Sequence, residues 1–366
     1  MKRLLVVCAA ALLPCFLVSA QEADNSDRGV ELSVIPRLDL NPVLSTAKDG
    51  SGEFTLGNSS LYSLFEGNLS ENLSFSICNH WLGFDSIHDI MGTTKQLYQS
   101  TLYSDNTNWL DWAYLTYTLG NFSFTLGKDM VTTGGLEFDD YDFEVHPALV
   151  SSFWQNFACY QWGAKVAFTT PSEDDTIGFQ FTTSPYGERP FASKLFNYSL
   201  EWRGNHGPLE TIWSATAVGT EPGEFQPVFA LGQRLDFDSW AIGLDAVSVV
   251  GDGEEILRKG ITLMPSVTYS PSERFDILAK VGYENYALDT VEDLTYKRLW
   301  GGLALHWFPL QDSRDLRVHA VAAYDQAFST ASLTFGVLYN YDDQDGEAEL
   351  SEEGDEIWDR VAEDFS

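Results

Sequence analysis

The chain has 366 residues, and its 21 basic and 54 acidic residues give a formal net charge of −33. Nucleic-acid binding requires basic patches that neutralise phosphates, so this charge argues strongly against that class of function. An aromatic content of 14% with a mean hydropathy of −0.15 fits a sheet that has one apolar face and one wet face.

The N-terminus indicates export. Lys2 and Arg3 form a positive region, residues 4–18 are mostly apolar, and Val18-Ser19-Ala20 is a small-residue cleavage site. This pattern predicts a secretory signal peptide over residues 1–20, followed by a short periplasmic segment at 21–28. No apolar stretch after residue 20 is long enough for a membrane-spanning helix, so an exported chain of this kind is either soluble or a β-barrel.

Sixteen amphipathic runs follow, and long connections are expected to alternate with short ones. The period-two pattern predicts strands at 29–41, 59–69, 72–82, 109–119, 121–130, 160–170, 175–184, 195–204, 208–218, 225–235, 239–249, 260–270, 274–286, 298–308, 314–324 and 331–341. Residues 42–58, 83–108 and 131–159 are the longest connections in this assignment.

The two faces of each run differ in polarity. In the thirteenth run, Phe275, Ile277 and Ala279 share one face, while Asp276 and Lys280 occupy the other. A soluble β-sandwich shows the same alternation, but nothing in its surroundings confines its long loops to one end of the strands. The sequence therefore predicts an all-β, antiparallel, up-and-down transmembrane β-barrel of about sixteen strands over 29–341. With both termini in the periplasm, the long connections lie outside.

The last run carries a further motif. Thr334, Gly336, Tyr339 and Tyr341 resemble the β-signal of outer-membrane proteins, in which a polar residue and a glycine precede two spaced aromatic residues. The resemblance implies recognition by the barrel-assembly machinery. It also departs from the family pattern, because an acidic tail, 342–366, follows the motif and is predicted to lie in the periplasm.

The hairpin at 113–128, Ala-Tyr-Leu-Thr-Tyr-Thr-Leu-Gly-Asn-Phe-Ser-Phe-Thr-Leu-Gly-Lys, resembles the hairpin before the constriction loop of Gram-negative porins. It is similar also to hairpins of the phosphate-selective porin family. The close match covers only this hairpin. The resemblance implies a sixteen-stranded diffusion porin in the bacterial outer membrane, surrounded by lipid and passing small hydrophilic solutes or ions. Whether such a protein is a homotrimer or a monomer stays open.

In sixteen-stranded porins the connection after this hairpin folds into the pore, which implies an inward constriction loop at 131–159. This segment is acidic, with Glu137, Asp139, Asp140, Asp142 and Glu144. Strand parity places four basic side chains on the lumen wall: Arg37, Lys165, Lys280 and Arg317. A pore with so few basic residues is unlike an anion-selective one, so we expect a weak preference for cations.

Catalysis is not expected. The six histidines make no i, i+4 pair, and the sequence contains neither Cys-x-x-Cys nor Gly-x-Ser-x-Gly. The sequence therefore predicts neither an enzyme, a metal site nor a cofactor. The alternative to a diffusion porin is a non-conducting outer-membrane barrel with a binding or structural role in the envelope.

Overall fold

A computed structural model describes residues 29–47, 50–82, 110–141, 143–187, 191–250, 259–287, 295–311 and 313–342 of the chain. The predicted signal peptide, the segment 21–28, the connection 83–108 and the tail beyond residue 342 lie outside these ranges. The strands are β1 Val30–Ser45, β2 Gly52–Thr55, β3 Ser60–Ser70, β4 Leu73–Leu82, β5 Leu110–Leu119, β6 Phe122–Met130, β7 Tyr160–Thr169, β8 Asp175–Thr183, β9 Phe196–His206, β10 Leu209–Glu221, β11 Glu224–Phe237, β12 Trp240–Val249, β13 Gly260–Ser272, β14 Phe275–Ala287, β15 Thr295–Trp307, β16 Leu316–Asp325, β17 Thr330–Tyr339 and β18 Tyr341–Asp342.

These strands form one closed antiparallel barrel. Each strand from β3 to β17 pairs with the next one along the chain. The first strand closes the sheet, because β1 pairs with β2 and β3 on one side and with β17 and β18 on the other. Together, β2 and β3 form one interrupted strand, and so do β17 and β18. The eighteen strand segments therefore make a barrel of sixteen strands. The predicted sixteen-stranded meander is confirmed.

The predicted alternation of connection lengths is only partly right. Residues 42–58 were expected to form a long connection, but β1 continues to Ser45 and β2 folds back onto it, with Leu44 opposite Gly52. At the same end of the barrel, residues 222–223 alone join β10 to β11, and 326–329 join β16 to β17. The prediction of a long connection was wrong because Pro42 and the glycines around residue 50 are typical of loops, although the residues next to them pair as strands.

The barrel has an apolar outside and a polar inside. Along β1, Leu38, Leu40 and Leu44 face outward and are 58%, 44% and 58% exposed, whereas the intervening Arg37 and Asp39 are buried in the lumen. Large apolar side chains are likewise exposed on the outward faces of the other strands, among them Leu126, Phe179, Leu200, Leu231, Leu244, Leu305 and Phe335. A soluble barrel would have the opposite arrangement, so the exterior is suited to contact with lipid.

Aromatic side chains gather near the short-turn end of the outer surface. Cross-strand ring pairs here are Phe122–Phe168, Trp202–Trp213, Trp240–Tyr269 and Phe275–Trp307. Such a ring of aromatic residues is typical of the boundary between lipid and water. Among the described residues, no helix is long and apolar enough to cross a membrane.

A charge on the outward face tests this assignment. Leu231 lies in the middle of β11, faces outward and is 47% exposed. We expect Leu231→Arg to lower the free energy of unfolding in lipid vesicles by about 2–4 kcal/mol, because the guanidinium must enter the hydrocarbon layer. On a water-facing surface the same change would cost within about 0.5 kcal/mol. Urea titration of the refolded protein measures the difference, with Ser172→Arg in the exposed turn after β7 as the control.

Candidate pore constriction

The connection between β6 and β7, residues 131–159, folds into the lumen. Its two ends are joined where the Val131 amide donates to the Cys159 carbonyl oxygen at 2.8 Å. Wall side chains bind the backbone of its first residues. The side chain of Gln180 on β8 accepts from the Thr132 amide at 3.0 Å, and Ser214 on β10 donates to the Gly134 carbonyl oxygen at 3.0 Å.

Asp245 on β12 fixes the next part of the segment. Its two carboxylate oxygens accept from the backbone amides of Leu136 and Glu137, at 3.1 and 2.5 Å, at the start of the 3-10 turn Leu136–Phe138. The backbones approach closely beside this carboxylate. A Cβ at Gly135 would collide with the Asp245 side chain, and one at Gly232 on β11 would lie 2.6 Å from the Leu136 nitrogen. Glycine is required at both positions because nothing larger fits.

Two carboxylates, one in the segment and one on the wall, accept hydrogen bonds from backbone amides in the second half of the segment. Glu137 accepts from the amide of Ser151 at 2.9 Å and pairs with Lys280 on β14 at 3.0 Å. Glu284 on β14 accepts from the Ser152 amide at 2.9 Å and pairs with Arg298 on β15 at 3.0 Å. These contacts hold the helical turn Ser152–Asn156 against the β14–β15 wall.

The strand β1, which lies three strands from β15 around the barrel, also binds the segment. The Arg37 guanidinium donates to the carbonyl oxygens of Phe143 and Val145 at 3.1 and 2.6 Å, and it pairs with Asp39 at 2.9 Å. Tyr141 stacks on Trp112 of β5 with ring centroids 5.4 Å apart. The segment therefore contacts wall strands on every side of the lumen.

Three histidines meet where the segment passes β15 and β16. The Nε2 atoms of His146 and His306 lie 2.7 Å apart, and His319 pairs with Asp39 at 2.9 Å. Arg37 lies 3.3 Å from Nδ1 of His146. Burial, followed by the positive charges of Arg37 and Arg317, lowers the pKa of His146 well below its usual value. Within the described ranges, no group of three or more His, Cys, Asp or Glu residues is arranged to hold a metal ion.

The acidic residues singled out in the sequence occupy different environments. Glu137 is 5% exposed and ion-paired, so it holds the segment in place. Asp139 pairs with Arg203 of β9 at 2.5 Å. Asp140 and Glu144 are exposed, and neither forms an ion pair with another described residue. Asp142 lies outside the described residues.

The surroundings of Asp140 affect its charge. Desolvation by the surrounding protein, and then the negative charge of Glu144, raise the pKa of Asp140 to about 6. Its carboxylate is therefore ionised above about pH 6 and becomes neutral in mild acid.

The four basic residues assigned to the lumen wall all face inward, and three are neutralised by carboxylates. Arg37 pairs with Asp39, Lys165 with Glu201 at 3.3 Å, and Lys280 with Glu137. Arg317 is 9% exposed and donates to the Glu144 carbonyl oxygen at 3.4 Å. Three of these four positive charges are therefore balanced by a neighbouring carboxylate, and the fourth is largely buried.

Several residues that position the segment were missed in the sequence. Asp245, Arg298 and His306 all lie on the inward face of their strands, which parity alone could have shown. Their partners could not have been found in this way, because the segment 131–159 has no periodicity. The sequence offered one signal for these wall residues, namely a charged or titratable side chain at an inward-facing position within a predicted strand.

The four residues that resemble the β-signal lie on both faces of the barrel wall. Tyr339 and Tyr341 are exposed on the outside, with ring centroids 6.5 Å apart. Thr334 faces inward and donates to Asn41 at 2.8 Å. Gly336 lies opposite Asp39 on one side and His319 on the other, and a Cβ there would collide with the Asp39 carboxylate.

We therefore expect Gly336→Ala to destabilise the folded barrel by about 1–3 kcal/mol, as overpacking does. Refolding without any assembly factor, followed by urea titration, measures this effect. Gly178→Ala is the matched inward control, because the nearest atom to its Cβ would be the flexible end of the Lys165 side chain, at 3.1 Å, and the next atoms lie at an ordinary van der Waals distance of 3.9 Å. Equal stability of the two variants in vitro would leave assembly recognition as the reason for the glycine.

No family model matches the sequence, and no curated protein sequence matches it. Solved structures do share its fold. A loop L8 deletion mutant of OmpT, an outer membrane protein of Vibrio cholerae, is 12% identical with a TM-score of 0.59, and the match covers 86% of this chain and 100% of that one. The anion-selective porin from Comamonas acidovorans is 13% identical with a TM-score of 0.59, again over 86% and 100%.

The outer membrane channel DcaP of Acinetobacter baumannii is 12% identical with a TM-score of 0.57, and the match covers 88% of this chain and 100% of that one. At such low identities these likenesses show the fold. The chain has the closed sixteen-stranded barrel that is found in porins of the Gram-negative outer membrane.

Proposed function

We propose that the protein is a porin of the bacterial outer membrane, forming a water-filled channel for passive diffusion of small hydrophilic solutes, with a weak preference for cations. The observation that carries the proposal is the reversed polarity of the barrel, with exposed apolar side chains outside and charged side chains inside.

The charges that remain accessible support the cation preference. Arg37, Lys165 and Lys280 are each paired with a carboxylate, so their fields are largely cancelled. Asp140 and Glu144 are exposed and lack such partners among the described residues. A permeating ion therefore passes more unpaired negative than positive charge, although buried Arg317 offsets part of it.

A non-conducting barrel is the second candidate, and one observation favours it. The lumen segment packs apolar side chains against inward-facing ones, in a cluster that includes Phe138, Phe153, Phe157, Val228 and Val247. Purified protein in planar lipid bilayers separates the two functions. Stepwise, ohmic conductance increments are expected of the porin, whereas a silent membrane with correctly folded protein would support the non-conducting barrel.

The remaining partners follow from the same proposal. The barrel exterior is in contact with outer-membrane lipid, a cleaved signal peptide at 1–20 directs export, and the barrel-assembly machinery recognises Thr334, Gly336, Tyr339 and Tyr341. The segment 131–159 is the constriction, and 342–366 is a periplasmic tail. A homotrimer is compatible with the fold, since one solved structure of OmpT from Vibrio cholerae is a trimer form.

Selectivity can be tested by removing the accessible carboxylates. Asp140→Asn with Glu144→Gln should shift the reversal potential in a salt gradient towards anion permeation, because two unpaired charges leave the ion path. The shift should shrink at 1 M salt, where the Debye length is about 3 Å. Glu173→Gln with Asp174→Asn removes two exposed carboxylates from the turn between β7 and β8 and is the charge-matched control. Equal shifts in both double variants would place the selectivity at the mouth instead.

Selectivity should also depend on pH. Since the pKa of Asp140 is raised to about 6, its negative charge is present above that pH and is lost as the pH falls through it. We expect cation preference to decline between about pH 7 and pH 5. Reversal potentials recorded at stepped pH values measure the decline, and Asp140→Asn should remove this step. A decline of the same size in the variant would assign the titration to another group.

A further inference from the structure

A groove lies on the outer surface of the barrel, where the last strands meet the first. Its volume is 720 Å³, which is within the range of about 300–1,000 Å³ that is typical of small-molecule sites. Five neighbouring strands, β14 to β17 and β1, contribute apolar outward side chains to its lining. The groove therefore lies in the part of the surface that is suited to contact with lipid.

The depth of the groove comes from small side chains on β16. Val318, Ala320 and Ala322 follow one another on the outward face of this strand. Ala320 lies opposite Leu305 of β15 and Phe335 of β17. These two neighbours are 45% and 49% exposed, so they project beyond the alanine on either side. The result is a trough that runs along β16 between two ridges of larger side chains.

The trough spans one half of the membrane. It begins at Val318, which lies opposite Trp307 in the aromatic ring near the short turns, and it ends at Tyr324. The path from Val318 to Tyr324 is about 20 Å long, at a rise of about 3.4 Å per residue. Barrel strands are tilted by about 40°, so this path covers about 15 Å of depth, half of a hydrocarbon core of about 30 Å. That depth matches one extended acyl chain of a single leaflet.

The β13–β14 turn lies at the mouth of the groove, since Pro271 before its tip and Phe275 after it line the groove. The tip residues Glu273 and Arg274 are exposed, and neither side chain forms an ion pair with another described residue. The turn is fixed, because the Phe308 amide donates to the Arg274 carbonyl oxygen at 2.9 Å. Opposite charges held side by side complement a headgroup that carries both a phosphate and an ammonium group.

Other described charges near this turn are already engaged. Arg314 pairs with Asp276, which lies on the lumen face of β14, and Asp315 accepts from the hydroxyl of Ser313. A headgroup above the groove therefore meets mainly the two charges of the turn. Glu273 would repel a headgroup that is only anionic.

We infer that the groove binds one acyl chain of a zwitterionic glycerophospholipid, whose headgroup lies at the Glu273–Arg274 turn. In the proposed orientation the short turns face the periplasm, so the lipid belongs to the periplasmic leaflet. This inference rests on the membrane placement in the proposed function and does not depend on conductance.

Photolabelling in vesicles tests the site. The refolded protein is inserted into vesicles of phosphatidylethanolamine and phosphatidylglycerol that contain a trace of phosphatidylethanolamine with a diazirine in one acyl chain. After irradiation, mass spectrometry of peptides should find several-fold more label on β15–β17 than on β11–β12, which also expose large apolar side chains. Equal labelling of the two regions would show general lipid contact and would overturn the site.

Variants that fill the groove give the second test. Ala320→Trp should lower the labelling of β15–β17 several-fold, and Ala322→Phe, one row further from the turn, should do the same. Ala246→Trp is the matched control, because Ala246 also faces outward between two leucines, Leu231 and Leu263, and it should leave the labelling unchanged. Resistance to SDS before heating shows that each variant is folded. Undiminished labelling in both groove variants would contradict the proposal.

Two further measurements identify the occupant. A phosphatidylglycerol probe with the same diazirine should label β15–β17 several-fold less than the phosphatidylethanolamine probe, and Glu273→Gln should reduce this difference. Equal labelling by the two probes would overturn the choice of a zwitterion. If a second copy of the chain filled the groove, Ala320→Trp would change the oligomeric state in detergent and the probe would not favour β15–β17, which would also overturn the proposal.

Failure of this inference is distinguishable from failure of the proposed function. Since the groove lies outside the lumen, Ala320→Trp should conduct as the unsubstituted chain does in planar bilayers. A protein that is labelled in the groove but never conducts would refute the channel and leave the lipid site standing. A protein that conducts, with no preferred labelling of β15–β17, would refute the lipid site alone.

Discussion

The closure of the barrel at β1 is the constraint on which the rest of the structure depends. This strand pairs with the second strand of the barrel and also with the last, so the hydrogen-bonding groups of the sheet have partners without a free edge. The same strand carries Arg37 and Asp39 on its inward face. Arg37 binds the backbone of the lumen segment at two carbonyl oxygens, so correct positioning of that segment requires a closed barrel.

The wall charges serve mainly to hold an irregular segment inside the lumen. A segment with little regular secondary structure leaves many backbone groups unpaired, and each must find a partner when it is removed from water. Here the partners are side chains from the wall, such as Asp245 for two amides and Arg37 for two carbonyl groups. Breaking one such buried pair costs more than the pair contributes when formed, because the remaining charge is left without a partner. The charges therefore specify one position for the segment.

Most of the barrel could be predicted from the sequence, because a strand exposed to lipid on one face and to water on the other alternates in every second residue. The period placed the sixteen strands within a few residues and assigned Arg37, Lys165, Lys280 and Arg317 to the inward face. It failed at 42–58, where strand pairing overrides a loop-like composition. The sequence could not show that Glu137 is buried and Asp140 exposed, since nothing in an irregular acidic stretch indicates which carboxylate will pair with a lysine.

Under the proposed function, different acidic residues of 131–159 would contribute to stability and to selectivity. Glu137 is buried against Lys280 and the Ser151 amide, so its charge cannot be changed without loosening the segment. Asp140 and Glu144 are exposed, so in the proposed channel their substitution would alter the field that an ion meets without removing an anchoring ion pair. Under the proposed function, ion preference would change through substitutions at exposed residues of the segment while the barrel and the anchoring contacts stay the same. In the proposed channel, the acidic residues of the segment would thus have two roles, since some hold the segment in place and others set the charge along the path of the ion.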